Sequence, residues 1–203
     1  LPDCLERGER LFAYEYNGYW KDVGTLGSYW EANMELIDII PEFNLYEEFW
    51  KIYTKSDALP PLYVSEDGFI ERSIVCGNST IEGTVIGSVI GAGVTIGKGA
   101  VVRDSIIMKD TVIGPGCTVD KSIIAEEVAI GDHCTLGVGE DIPNKVNPKV
   151  YSFGLVTIGE DSVIPSNVQI GLNTAISGPT ESEDYPNGIR ASGETLIKAG
   201  DRS

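Results

Sequence analysis

The chain has 203 residues, with 15 basic and 31 acidic side chains, a formal net charge of −16 and a pI near 4.3. Proteins that bind nucleic acid or anionic membranes rely on Lys and Arg to meet phosphates, so this balance argues against both kinds of partner. The sequence contains no apolar run of membrane-spanning length and no recognisable signal peptide. We therefore expect a soluble, cytoplasmic protein. Because the first residue is not Met, we also expect a piece of a longer protein.

Residues 1–40 predict one hairpin and one helix. Two aromatic-rich runs flank Asn17-Gly18, a dipeptide typical of hairpin turns because both residues tolerate positive φ. Ser28 followed by Glu31 fits a capping box and predicts the start of a helix. Its apolar side would be formed by Tyr29, Ala32, Leu36 and Ile40. A hairpin and one helix are too small for an independent core, so we expect this segment to be the edge of a larger domain.

The central part of the chain repeats every 17 residues. Three columns of aliphatic residues follow this period, with internal steps of six, six and five residues: Ile90/Ile107/Ile124, Ile96/Ile113/Ile130 and Val102/Val119/Leu136. A unit this short cannot bury its own apolar face, so successive units must stack and share a core. Each step reads aliphatic–Gly–x–x–small–x, which predicts a triangular coil of three strands with the aliphatic and small residues inside. We expect five or six such coils.

The positions where the six-residue step begins, breaks and ends predict the boundaries of the segments of the chain. The solenoid is predicted over residues 70–176, after a linker of residues 41–69 that packs on its first coil and shields it. Residues 137–157 break the six-residue step and predict a loop between coils. The polar residues 177–203 predict a tail that is either poorly ordered or docked on a partner, and the sequence does not separate the two.

The solenoid offers few groups for chemistry. Cys117 and Cys134 share one inward column, which predicts buried free thiols, with a disulfide between coils as the less favoured alternative. His133 is the only histidine and stands at an outward position of a repeat. A solvated turn residue is the favoured interpretation of His133, and a general base is the alternative. No Walker loop or Gly-x-Gly-x-x-Gly motif follows a predicted strand.

Two parts of the chain resemble known families. The repeat resembles the hexapeptide-repeat family, whose members fold as left-handed parallel β-helices, whereas the general crossover rule favours the right-handed form. The stretch Tyr19-Trp-Lys-Asp-Val-Gly-Thr25 and the Glu-Ala-Asn helix after it closely resemble the end of the catalytic domain of the glucose-1-phosphate adenylyltransferase (ADP-glucose pyrophosphorylase) family. This likeness continues through Asn44-Leu45-Tyr46 and Leu59-Pro-Pro-Leu62. The implied fold is all-β, a left-handed β-helix preceded by a small α+β remnant of a nucleotidyltransferase domain.

The resemblance implies a reaction and one site residue. The reaction joins ATP and glucose 1-phosphate to give ADP-glucose and pyrophosphate, which supplies glycogen or starch synthesis. In that family the aspartate of the Asp-Val-Gly-Thr motif helps to hold Mg²⁺, and the resemblance implies this role for Asp22. The alternative is that Asp22 is an ordinary carboxylate at the end of a strand, with a role in a turn. Trp20 is a candidate to buttress the site or to pack beneath the hairpin. The family's glycine-rich nucleotide loop, second metal-binding aspartate and sugar-phosphate ligands do not occur here, so we expect no catalytic residue and no activity from this chain alone.

The resemblance also implies assembly and regulation. In the family the β-helix packs on the catalytic domain and on neighbouring subunits, usually in a homotetramer, and a small-molecule allosteric effector binds near that junction. Two other functions stay open. One is a non-catalytic regulatory subunit of the same complex, against which the intact Asp22 motif weighs. The other is a hexapeptide-repeat acyltransferase, or the acetyl-transfer half of a bifunctional uridylyltransferase, that uses His133.

Overall fold

The central and C-terminal parts of the chain wind into a parallel β-helix, as the 17-residue repeat predicts. The structure is a computed structural model and describes residues 1–45, 47–51, 53 and 58–198. In the described part of the chain that precedes the solenoid there are two helices, α1 at Pro2–Glu6 and α2 at Leu26–Glu35. Neither of them, nor any other helix in these ranges, has the length and apolar character needed to cross a membrane.

The strands of the β-helix are short and follow one another three to a coil. In chain order the described strands are β1 Tyr63–Val64, β2 Phe69–Glu71, β3 Ile74–Val75, β4 Thr80–Ile81, β5 Thr84–Ile86, β6 Val89–Ile90, β7 Thr95–Ile96, β8 Val101–Arg103, β9 Ile106–Ile107, β10 Val112–Ile113, β11 Thr118–Asp120, β12 Ser122–Ile124, β13 Ala129–Ile130, β14 Thr135–Val138, β15 Val156–Ile158, β16 Val163–Ile164, β17 Gln169–Gly171, β18 Ala175–Ser177, β19 Ile189–Arg190 and β20 Thr195–Ile197. Two single-turn 3₁₀ segments, Ser182–Asp184 and Pro186–Gly188, lie between β18 and β19.

The strands stack into three parallel sheets, one for each side of a triangular prism. The orders are β1-β4-β7-β10-β13-β16 in the first sheet, β2-β5-β8-β11-β14-β17-β19 in the second and β3-β6-β9-β12-β15-β18-β20 in the third. Ile113 pairs with Ile96 on one side and with Ile130 on the other, so the register reproduces the sequence period. All nine residues of the predicted columns are at most 2% exposed. The columns are therefore confirmed, and they form one continuous core along the prism.

Equivalent corners of successive coils use a left-handed backbone conformation. Gly99, Gly116, His133 and Asn167 occupy one such corner, with φ of +69°, +67°, +56° and +64°. Glycine adopts this region without a Cβ penalty, and a short polar residue tolerates it better than a branched one. His133 thus occupies a corner, and its side chain is exposed, as the sequence predicts.

The β-helix is longer at its N-terminal end than the sequence predicts. Strand β1 pairs Tyr63 with Thr80, so the first coil begins inside the predicted 41–69 linker rather than at Ile70. The residues just before it contact the same coil, because the amide N–H of Asn78 donates to the carbonyl oxygen of Pro60 at 2.7 Å. The packing of the whole 41–69 linker on the first coil stays a prediction, and Tyr46, Ile52 and residues 54–57 lie outside the described residues.

The C-terminal segment also differs from its prediction as a polar tail. Strand β19 pairs with β17 and β20 pairs with β18, so residues 177–198 add a seventh coil to the solenoid. Tyr185 is 2% exposed and belongs to the main core. An open sheet edge offers unpaired N–H and C=O groups, and the segment satisfies them by pairing rather than remaining separate. Residues 199–203 lie outside the described part of the chain.

The N-terminal segment contains helices but not the predicted hairpin. Residues 11–24 form no strand, so the predicted α+β remnant is helical in the described structure. The pairing predicted around Asn17-Gly18 is wrong because an isolated two-stranded hairpin has no further strand or helix to support it. Helix α2 begins earlier than predicted, with Thr25 rather than Ser28 at the N-cap, and it ends at Glu35, well before Ile40.

Helix α2 packs on the outer face of the third sheet. Ile106 and Ile123 point outward from β9 and β12, yet they are only 3% and 4% exposed. Together with Leu155 they form a second core beneath the helix, which contributes Leu26, Tyr29, Trp30 and Met34. Burial of apolar surface here, at roughly 25 cal/mol per Å², fixes the helix to the β-helix.

A loop between β14 and β15, where the sequence repeat is interrupted, lies over the same face. We call residues 139–155 the clasp loop. Two buried asparagines, Asn144 and Asn173, attach it to the last coils. The side-chain amide of Asn144 donates to the carbonyl oxygen of Asn173 at 2.9 Å, and its oxygen accepts the backbone N–H of Asn147 at 2.8 Å. The loop is therefore part of the packed structure.

Cys117 and Cys134 are buried free thiols on adjacent coils, as predicted. The backbone N–H of Cys134 lies 3.4 Å from Sγ of Cys117. The contact with Cys134 and burial both raise the pKa of the Cys117 thiol, so it stays protonated at neutral pH. These residues fill the small inward column in the way that Ala100 does.

Candidate functional site

The Asp22 motif forms a tight turn immediately before helix α2. The Asp22 carboxylate is exposed, and its Oδ1 accepts the backbone N–H of Gly24 at 3.1 Å. An aspartate that accepts a hydrogen bond from the residue two positions later is typical of an Asx turn. The turn role considered for Asp22 is therefore present, and it engages one of the two carboxylate oxygens in the described contacts.

A reciprocal cap fixes the helix directly after this turn. Oγ1 of Thr25 accepts the N–H of Ser28 at 3.1 Å, and Oγ of Ser28 accepts the N–H of Thr25 at 3.1 Å. These two bonds satisfy backbone donors that a helix start leaves unpaired. The position of Asp22 is consequently coupled to the first turn of α2.

The residues before Asp22 are tied to the last turn of the same helix. Nζ of Lys21 lies 2.5 Å from Oε1 of Glu35, and the hydroxyl of Tyr19 donates to Oε2 of Glu35 at 2.9 Å. The hydrogen bonds from Lys21 and Tyr19 hold the pKa of Glu35 below its usual value, and the bond to Glu35 raises the pKa of Lys21. Both partners are therefore charged at neutral pH. The motif is held at both ends of α2.

Trp20 is 76% exposed and lies between these two anchored residues. Among the described contacts, no hydrogen bond or ring contact joins it to Asp22. Its role as a buttress of the site stays a prediction.

His133 and the acidic residues do not assemble into a second site. His133 lies on an exposed corner of the β-helix, remote in sequence from the Asp22 motif. Within residues 1–45, 47–51, 53 and 58–198, no group of three or more His, Cys, Asp and Glu side chains is arranged to hold a metal ion. Among the described residues, Asp22 therefore belongs to no such metal-binding group.

Sequence reasoning missed the residue that attaches α2 to the solenoid, Trp30. Its indole N–H donates to the backbone oxygen of Asp104 at 2.7 Å, and Nζ of Lys121 lies 5.6 Å from the centre of its ring. Leu26, Trp30 and Met34 recur at helical spacing, and this stripe was the available signal. The prediction used a helix start at Ser28 and chose Tyr29, Ala32, Leu36 and Ile40 as the apolar side of the helix. Of these four residues, only Tyr29 belongs to the second core.

The donor chemistry of the motif fits Mg²⁺. Mg²⁺ prefers hard oxygen ligands and is often bound by one or two carboxylates together with substrate phosphates. The exposed Asp22 carboxylate uses Oδ1 in the turn and can present its other oxygen to such an ion. The fit requires further ligands from outside the described residues.

Comparison with known proteins reproduces the division of the chain into these two parts. Residues 63–158 match a family model described as "GlmU-like, C-terminal hexapeptide", and residues 1–39 match one described as "Nucleotidyl transferase". The first match agrees with the left-handed β-helix that the resemblance to the hexapeptide-repeat family implies.

Curated relatives resemble nearly the whole chain. A glucose-1-phosphate adenylyltransferase from Lachnospira eligens is 63% identical over 99% of this chain and 48% of its own length. Proteins of the same name from Acetivibrio thermocellus and Thermotoga maritima are 41% and 49% identical over 99% and 92% of this chain, and over 47% and 44% of their own lengths. The chain thus spans about half the length of the curated relatives it matches. Along both the nucleotidyltransferase segment and the hexapeptide β-helix on which it packs, the chain is similar to glucose-1-phosphate adenylyltransferases.

Proposed function

We propose that this chain is the C-terminal regulatory and assembly part of a glucose-1-phosphate adenylyltransferase. The whole enzyme would convert ATP and glucose 1-phosphate into ADP-glucose and pyrophosphate for glycogen or starch synthesis. The observation that carries this proposal is the attachment of the Asp22 motif, through α2, to the outer face of the β-helix. That arrangement joins a nucleotidyltransferase segment and a hexapeptide solenoid in one packed unit.

Asp22 would help to hold Mg²⁺ in the whole enzyme. Bound Mg²⁺ offsets the negative charge that develops on the pyrophosphate leaving group. The contribution of this chain is to orient the carboxylate. The Gly24 N–H fixes one of its oxygens, and the salt bridge between Lys21 and Glu35 holds the preceding backbone against α2. This preorganisation avoids moving the ligand when the ion and substrate bind.

The β-helix would provide assembly and regulation. A homotetramer and a small-molecule effector are proposed from the family of the relatives, and the extended faces of a solenoid suit contacts with neighbouring subunits. The acidic balance of the chain supports the absence of nucleic acid and membrane partners. Four free cysteines agree with a cytoplasmic location.

Substitution of Asp22 tests the metal-binding part of the proposal. In the full-length enzyme that carries this chain, we expect Asp22→Asn to lower kcat on the order of 100-fold, because a lost oxygen ligand removes several kcal/mol of charge stabilisation. The measurement is pyrophosphate release from ATP and glucose 1-phosphate across a Mg²⁺ titration. Asp38→Asn is the control, since Asp38 is also an exposed carboxylate but follows α2. An Asp22→Asn enzyme with unchanged kcat and Mg²⁺ dependence would refute the metal role.

The separate chain gives a second test. We expect the purified 203-residue protein to form no ADP-glucose from ATP, glucose 1-phosphate and Mg²⁺, because it spans about half the length of its relatives. The full-length enzyme in the same chromatographic assay is the positive control. Formation of ADP-glucose by the separate chain would contradict its proposed regulatory and assembly role.

A further inference from the structure

The clasp loop of the β-helix contacts the first turn of α2 through an aromatic ring. Gly27 is the buried residue of that helix, and a Cβ added to it would lie 2.7–2.8 Å from Cγ, Cδ1 and Cδ2 of Phe153. Three nearly equal distances place Gly27 over the face of the ring. A side chain at residue 27 would overlap the ring, so this close approach requires glycine.

The ring is held there by an unusual backbone conformation. Phe153 has a φ of +68°, which is rare for a bulky residue. The next residue, Gly154, donates its N–H to Oδ1 of the buried Asn173 at 2.8 Å. The side-chain amide of Asn173 in turn donates to the carbonyl oxygen of Ile142 at 2.9 Å. The last coils of the β-helix therefore determine where the Phe153 ring lies.

The same loop lies beside the backbone that follows Asp22. Lys149 and Val150 line a cleft of about 340 Å³ together with residues 23–26 and Tyr29. The cleft is thus bounded on one side by the β-helix and on the other by the turn and cap that set the position of Asp22.

We propose that Phe153 is a positioning residue for Asp22. Its ring packs on Gly27, fixes the first turn of α2, and through the Thr25 cap keeps the Asp22 carboxylate in the place from which it binds Mg²⁺. This inference rests on the proposed function of the Asp22 motif. It assigns to the clasp loop a direct mechanical contact between the solenoid and the metal-binding motif.

The first test measures the local stability of the first turn of α2 and does not depend on enzyme activity. In the full-length enzyme, we expect Phe153→Ala to increase amide hydrogen exchange about tenfold in a peptide covering residues 25–30, because the first turn loses its packing partner. A peptide covering residues 106–124 should be unchanged, which would exclude general unfolding of the β-helix. Unchanged exchange in residues 25–30 would overturn the proposal.

The second test measures the consequence for Mg²⁺. We expect Phe153→Ala to raise the Mg²⁺ concentration for half-maximal activity about tenfold and to lower kcat about tenfold, within the 10- to 100-fold range for residues that orient metal ligands. Phe153→Tyr keeps the ring and should restore both values. Val146→Ala alters an exposed residue of the same loop and is the matched control.

A double substitution separates the ring contact from other effects. Gly27→Ala should reproduce the Phe153→Ala kinetics, because its Cβ displaces the ring. In the Phe153→Ala background the same change should add less than a twofold effect, since the overlap is gone. If the parent enzyme is active and Phe153→Ala has the same Mg²⁺ dependence as the parent, only the positioning role would be overturned. Absence of activity in the unaltered enzyme would instead overturn the proposed function and this inference with it.

Discussion

Replacement of Ile113 with alanine is expected to lower the free energy of unfolding of the β-helix by about 2–5 kcal/mol. Ile113 is 0% exposed and lies in the column between Ile96 and Ile130. Neighbouring coils are held at fixed spacing by backbone hydrogen bonds, so they cannot close around the space that the side chain leaves. Chemical denaturation of the purified chain, followed by circular dichroism, measures the change.

Val112→Ala is the matched control for this column. Val112 precedes Ile113 on β10, points outward and is 45% exposed. Its loss opens no cavity, and we expect a change of at most about 0.5 kcal/mol. Equal destabilisation by the two substitutions would show that the column does not carry the stability assigned to it.

Replacement of Asn173 with alanine is expected to lower the free energy of unfolding by about 2–5 kcal/mol, because several buried groups lose their hydrogen-bond partners. The side chain is 2% exposed, accepts the Gly154 N–H and donates to Asp141 and to the carbonyl oxygen of Ile142. Its φ of +55° adds a smaller conformational penalty for alanine. The clasp loop should loosen with it, and thermal unfolding together with proteolysis within residues 139–155 measures both effects.

Two variants separate the contributions of the Asn173 side chain and backbone. Glycine tolerates the positive φ, so Asn173→Gly removes only the side-chain hydrogen bonds. It should therefore show most of the decrease in the free energy of unfolding that Asn173→Ala shows. Asn167→Ala changes an asparagine with a similar φ of +64° at an exposed corner. We expect this substitution to lower the free energy of unfolding by about 1 kcal/mol. If Asn167→Ala were as damaging as Asn173→Ala, backbone strain rather than the buried network would account for the result.

Much of the solenoid could be predicted because its contacts repeat locally. Each aliphatic residue of a column meets the residue one coil away, so a 17-residue period in the sequence is also the period of the packing. The loop near residues 137–157 was predicted for the same reason, since a break in the period leaves residues that no coil can use. The ends were less predictable. Tyr63 and Ile189 join terminal coils without the complete repeat pattern.

The N-terminal segment shows where local signals are insufficient. Asn17-Gly18 favours a turn, but a turn stabilises a hairpin only when its strands have a surface to cover. Ser28 does form a capping box, yet as the third helical residue paired with Thr25 rather than as the N-cap itself. For the candidate site, the sequence motif indicated Asp22 as the candidate, whereas the contribution proposed for Phe153 could not be read from its neighbours in the chain.

The sequence by itself determined the β-helix, its inward columns, its interrupting loop and the motif that carries Asp22. These features depend on residues whose spacing along the chain is also their spacing in the structure. Only the tertiary structure decided which face α2 covers, that residues 177–198 form a further coil, and that Phe153 packs on Gly27. Those contacts join residues that lie 20 positions apart, as in Ala175 and Thr195, to 126 positions apart, as in Gly27 and Phe153. They depend on which surface remains uncovered once the coils have stacked.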